Sequence, residues 1–237
     1  MFVLSLKFCF IWMLANYATA LALSKASASI VIIATSTCGI FTFLVGLLMQ
    51  QEQFSYIKML STLGSVVGVY LLCGESLMVN IGLILGLASA LCYGIYSQFL
   101  KKQMTEDFNM RVFIGYVGLL NMILMWPVFL ILHYTKIEEF AIPTQILPIV
   151  LNALIGTCLS EYFWIKAIDL ASPIQVTLGI GCSVPLTMLI DVLIMHHTLT
   201  LNIIIGGVIV VLSFIAIEYE PSKQETIEDN TIDNYCP

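Results

Sequence analysis

Residues 22–46, ALSKASASIVIIATSTCGIFTFLVG, can be laid on residues 169–193, DLASPIQVTLGIGCSVPLTMLIDVL, at an offset of 147. Leu23 then falls on Leu170 and Ser36 on Ser183. After a link five residues shorter, LGSVVGVYLL (63–72) falls on IGGVIVVLSF (205–214), with Gly64 on Gly206. Identity is weak, but the order of apolar, small and hydroxyl residues is kept. An odd number of spans separates the corresponding helices, so the two copies must cross a membrane in opposite directions. Inverted repeats of this kind build many secondary transporters, with the substrate site near the midplane between them.

That reading requires a membrane, and the composition supplies one. The chain is 59% hydrophobic and 10% charged, with mean hydropathy +0.99. A soluble domain carries about 25% charged residues. Apolar runs long enough to cross a hydrocarbon core of about 30 Å as helices recur from end to end. Strand-period alternation is absent, which argues against a barrel. The sequence predicts an all-α polytopic membrane protein with eight spans: 2–23, 26–49, 57–74, 80–100, 111–134, 146–168, 173–195 and 199–217. The links are short and polar, leaving no room for a globular domain outside the membrane.

The first span ends in Ala18-Thr19-Ala20, which imitates a signal-peptidase site, but it is long for a signal peptide and carries Lys7 internally; it reads as retained. The net charge of −6 is concentrated in residues 218–237, which hold six acids and one lysine and read as an acidic disordered tail. With the N-terminus in the cytosol, five lysines and arginines (Lys58, Lys101, Lys102, Arg111 and Lys166) fall on the cytosolic side. Two, Lys25 and Lys136, fall opposite. That bias predicts cytosolic termini. The seven cysteines are scattered, and the neighbours His196 and His197 point in different directions on a helix, so no metal site is expected. Signatures of hydrolases, metalloproteases and phosphate-cradling loops are absent, so neither an enzyme nor a cofactor is expected, and nothing suggests nucleic-acid binding.

The repeat also exposes a deficit. If spans six to eight repeat spans one to three, residues 80–217 form a complete five-helix unit, and residues 1–74 form a partial one of three helices. The expectation is eight helices of a ten-helix, 5+5 inverted-repeat fold, with two helices missing before Met1. FIGYVGLLNMILMWPVFLILHYTKIEEFAIP (113–143), LNALIGTCLSEYFWIKA (151–167) and WMLANYATALALSKASASIVIIATSTCGIFTF (12–43) then carry a resemblance. They resemble the solute carrier 35 family, subfamily F, of the member-5 type. That family lies in the drug/metabolite transporter superfamily, whose repeats are of the EamA type. The resemblance implies a ten-helix transporter of endomembranes (Golgi, lysosome or vacuole). It also implies a small organic solute, thiamine-like or nucleotide-sugar-like. The first two helices of the family pattern are absent here, and Pro185 has no counterpart near Cys38.

Among intramembrane polar residues, Glu161 is the first candidate for solute contact. A carboxylate near the centre of a membrane helix costs about 2.5–3.5 kcal/mol on insertion scales. Glu161 stands seven residues before the end of its span, about 10 Å deep at 1.5 Å per residue. It would bind a cationic group or carry a coupling proton. Asp191, in a span of opposite direction, should lie nearer the other face. Asn16, Asn121 and Tyr93 complete the candidate set, with interhelical hydrogen bonding as their competing role. Lys166 and Asp169 read as an interfacial ion pair. GLILG at 82–86 offers a close-packing face through Gly82 and Gly86, and secondarily a homodimer contact. The functional expectation is a secondary transporter working by alternating access. The competing expectation is a truncated, non-transporting relative that regulates or dimerises with a larger one.

Overall fold

The computed structural model describes residues 2–73, 80–104, 108–136, 146–195 and 201–219, with the side chains of Met188 and 191–195 outside that description. His196, His197 and the acidic tail beyond 219 also fall outside the described residues. The chain is an all-α membrane protein. Among the described residues, seven helical stretches are long and apolar enough to cross a bilayer: Phe2–Lys25, Ala28–Leu48, Tyr56–Cys73, Ile81–Gln103, Met110–Tyr134, Ile146–Leu170 and Leu201–Glu218. The remaining expected span, 173–195, is built as two helices in succession.

Among the described residues, two spans are parted at mid-length and a third turns π-helical, which the sequence reading did not anticipate. Helix α1 is Phe2–Lys25; the next span divides into α2 (Ala28–Ser36) and α3 (Cys38–Leu48), parted at Thr37. After α4 (Tyr56–Cys73), α5 (Ile81–Gln103) and α6 (Met110–Tyr134) comes a span in three parts. It consists of α7 (Ile146–Leu151), a π-helical stretch (Asn152–Leu159) and α8 (Ser160–Leu170). Then follow α9 (Pro173–Gly181) and α10 (Ser183–Met195), parted at Cys182, and α11 (Leu201–Glu218). The π-helical turns widen around Asn152, whose side chain lies over Gly156, where any Cβ would collide with it. π-helical turns recur at functional sites, and this one ends one residue before Ser160 and two before Glu161.

The helix bounds correct the register of the repeat. A single offset of 145, not 147, carries α2 onto α9 and the break at Thr37 onto the break at Cys182. The same offset carries α4 onto α11 and the end of α1 onto the end of α8, with no shortened link. Serine caps fix this register. Ser27 Oγ accepts from the Ile30 amide, and Ser172 Oγ accepts from the Gln175 amide in a capping box, each opening a nine-residue helix. The apparent match of Ser36 to Ser183 is two residues out.

Small residues bring the helices together, as expected where lipid removes the hydrophobic drive for helix association. Helices α4 and α11 meet Gly68 to Gly206: a Cβ on Gly206 would lie 2.6 Å from the Gly68 carbonyl oxygen. Helix α5 packs on α1, α2 and α3. There Ser89 Oγ donates to the Ala15 carbonyl at 2.8 Å and lies 2.6 Å from Thr19 Oγ1. Gly82 and Gly86 are buried against Ala22, Ala26 and Ala34. The close-packing reading of GLILG therefore holds, and the face offered to a second copy is filled within the chain.

Coverage is uneven. Helix α1 is packed on α5 and α6, whereas the first part of its 145-offset counterpart is bare: every residue from 146 to 160 is exposed.

Candidate functional site

Where the breaks of α2–α3 and α9–α10 face each other, the bundle holds a cavity of about 970 Å³. Thr35, Ser36 and Cys38 line it from one break, and Thr177, Gly181 and Ser183 from the other. The lining extends to Gln175 and Glu218, at the end of the bundle where α11 finishes and α9 begins. A broken helix frees backbone groups that membrane protein tolerates only around cavities or protein contacts. The hydroxyls beside the breaks turn to the backbone of their own helices. Thr35 Oγ1 donates to the Val31 carbonyl at 2.9 Å, Ser36 Oγ to Ile33 at 2.7 Å, and Thr37 Oγ1 to Ala34 at 2.6 Å. Across the cavity Thr177 Oγ1 donates to the Pro173 carbonyl at 2.7 Å.

Glu161 and Tyr93 stand in the cavity wall, with Trp164, Phe163 and Phe214 supplying aromatic surface. Glu161 is half-buried and accepts a hydrogen bond from Tyr96 Oη at 3.2 Å; the Trp12 side chain is a second hydrogen-bonding neighbour. Tyr96 is itself fixed from three sides. It stacks on Trp164 with centroids 5.3 Å apart, meets Phe8 edge-on at 5.3 Å, and is 1% exposed. The carboxylate is thus held between α1, α5 and α8, one oxygen engaged and the group in contact with the cavity.

The other candidates separate. Asn16 does not line the cavity; it donates to the Trp12 carbonyl at 2.8 Å and bonds to Tyr93, so it sits behind the wall. Asn121 donates to the Val117 carbonyl at 3.0 Å within α6, away from the site. The Asp191 side chain is outside the described residues. Lys166 and Asp169 form the expected exposed pair at 3.0 Å.

Two charged groups escaped the sequence reading. Lys58 was counted as an interfacial cation, yet it is buried with Glu52 in an ion pair of 2.7 Å, both side chains 4% exposed. Lys101 reaches from α5 to the end of α8 and donates to three carbonyls, of Ile168, Asp169 and Ala171, at 2.9, 3.1 and 3.1 Å. These are the orphan acceptors that every helix C-terminus leaves, so Lys101 caps α8 from another helix. A lysine in the last turn of α5 was visible in the sequence; its partner helix was not.

The model of the EamA-like transporter family matches residues 80–219. The chain belongs to that transporter family. An uncharacterized transporter of Schizosaccharomyces pombe is 34% identical over 91% of this chain and 68% of its own length. An uncharacterized vacuolar membrane protein of Saccharomyces cerevisiae is 32% identical over 98% of this chain and 65% of its own. Solute carrier family 35 member F5 of Macaca fascicularis is 34% identical over 89% of this chain and 52% of its own. These place the chain in solute carrier family 35, subfamily F, within the drug/metabolite transporter superfamily. The chain spans between half and about two thirds of the length of these relatives. A solved crystal structure 13% identical matches with a TM-score of 0.69 over 86% of this chain and 71% of that one, a likeness of fold alone.

Proposed function

We propose that this EamA-family protein is a secondary transporter that moves a small organic solute across an endomembrane by alternating access, with both termini cytosolic. Residues 1–74 and 80–217 act as inverted repeats, the first partial and the second of five helices. The observation that carries this reading is the cavity bracketed by two helix breaks at offset-equivalent positions, with Glu161 in its wall. The described lining runs from mid-bundle to the Gln175–Glu218 end, so the conformation is open towards one face, the cytosolic one in the proposed orientation. The vacuolar placement in the name of the S. cerevisiae relative supports an endomembrane.

The cavity itself supplies a test that needs no known substrate. Cys38 lines it, and replacing the six other cysteines leaves a single reporter. In proteoliposomes of defined orientation, a small membrane-impermeant methanethiosulfonate should label Cys38 from either face. Labelling from one face only would refute alternating access. It would favour a second reading, a non-transporting membrane subunit that docks on a larger relative through the bare face of residues 146–160.

A further inference from the structure

Resting on the transporter reading, we infer that the cavity is built for an organic cation with an apolar or aromatic body, and that anionic solutes such as nucleotide sugars are excluded. Three independent features of the wall point the same way.

The first is charge. Among the described residues that line the cavity there are two carboxylates, Glu161 and Glu218, and no lysine, arginine or histidine. A nucleotide sugar brings a doubly charged diphosphate, whose binding calls for arginine or lysine donors. Moving such an anion beside Glu161, away from bulk water, would set like charges together in a region of lowered dielectric.

The second is hydrogen-bond polarity. Thr35, Ser36 and Thr177 have each committed the hydroxyl proton to a carbonyl of their own helix. A hydroxyl carries one donor and two acceptor lone pairs, so these three offer acceptors to whatever fills the cavity. With the two carboxylates, they favour a ligand that donates or carries positive charge.

The third is the apolar surface. Trp164 and Tyr93 flank Glu161, and Phe163 and Phe214 complete the aromatic wall. Aromatic faces attract cations when water is displaced, and the ring of Trp164 is held in place by its stack on Tyr96. A volume of about 970 Å³ lies within the usual range for drug-sized ligands. The two acids divide the work by depth. Glu218, exposed where α11 ends, draws cations in; Glu161, held by Tyr96, retains them.

The test is equilibrium binding to the purified full chain in lipid nanodiscs, with three cationic probes of increasing size: tetraethylammonium, 1-methyl-4-phenylpyridinium and tetraphenylphosphonium. Saturable binding of at least one is expected, displaced by the other cations. Neither 4-methylbiphenyl, the neutral isostere of the phenylpyridinium, nor UDP-glucose should compete. Glu161→Gln should weaken the cation at least tenfold with an unchanged size-exclusion profile, and Glu161→Asp should recover part of the loss. Glu218→Gln should slow association at low salt and leave dissociation unchanged. Displacement by UDP-glucose, equal affinity in Glu161→Gln, or no saturable binding of any cation overturns the assignment. Binding is read without flux, so these outcomes leave the transport reading to be decided separately by Cys38 labelling.

Discussion

Replacing Gly206 by alanine adds one methyl group at the closest approach of α4 and α11. That methyl would lie 2.6 Å from the Gly68 carbonyl oxygen, 2.9 Å from the Leu72 amide nitrogen and 3.0 Å from Leu72 Cγ. Two of these three atoms are backbone in the middle of a helix, so no rotamer change relieves the contact and the helices must move apart. Ordinary contact begins near 3.4 Å, so the separation grows by most of an ångström. Overpacking of this kind costs up to about 3 kcal/mol, while alanine gains about 1 kcal/mol over glycine in helix propensity. The expected net loss is therefore about 2 kcal/mol. Gly118→Ala is the control: in α6 nothing lies within 4 Å of its added methyl, so it should be neutral or up to about 1 kcal/mol stabilising. Reversible unfolding in mixed dodecylsulfate micelles, followed by tryptophan fluorescence, measures both. The Gly68→Ala/Gly206→Ala double variant should cost less than the sum, because helices already separated for one methyl accommodate the second. A Gly206→Ala protein as stable as Gly118→Ala would refute the packing argument.

Lys58→Met strands the buried Glu52 carboxylate and should cost about 3–5 kcal/mol, much of it recovered in Glu52→Leu/Lys58→Met; the same unfolding assay checks both. Lys101→Met removes three charge-assisted hydrogen bonds from the end of α8 and should cost about 1.5–3 kcal/mol, with faster hydrogen exchange at the amide of Ala171. Tyr96→Phe keeps the stack on Trp164 and loses only the donor to Glu161. It should change stability by less than about 1.5 kcal/mol while altering cation affinity several-fold, read by the same binding assay.

The spans were legible because length and hydropathy are one-dimensional properties, and the structural bounds fall within a few residues of the expected ones. Glu161 was legible for the same reason: an acid inside an apolar run is conspicuous wherever the helix points. Rotation about the helix axis was not legible, and it decided the rest. Tyr93 faces the cavity, whereas Asn16 lies behind it and Asn121 bonds within its own helix. Lys58 was misjudged because its partner lies six residues back, just past a turn in which Gln50 adopts φ 57°, geometry that lysine counting does not see. The repeat register had a readable signal in the matching serine caps at Ser27 and Ser172. Weak identity at the neighbouring register, Ser36 on Ser183, obscured it.

The gap-free offset of 145 bears on which way the protein rests. Under the proposed alternating access, the matched stretches 2–73 and 147–218 would exchange shapes, and whatever differs between them sets the preferred end state. One such difference lies in the side chains of the matched positions. Positions 52 and 58, a buried acid and base in one half, correspond to His197 and Ile203 in the other, a combination with no ion pair to offer. In the proposed transport cycle the Glu52–Lys58 bond would act as ballast: if it opens in the other end state, it weights the equilibrium towards the conformation that keeps it buried, and a ligand must supply the difference to tip it.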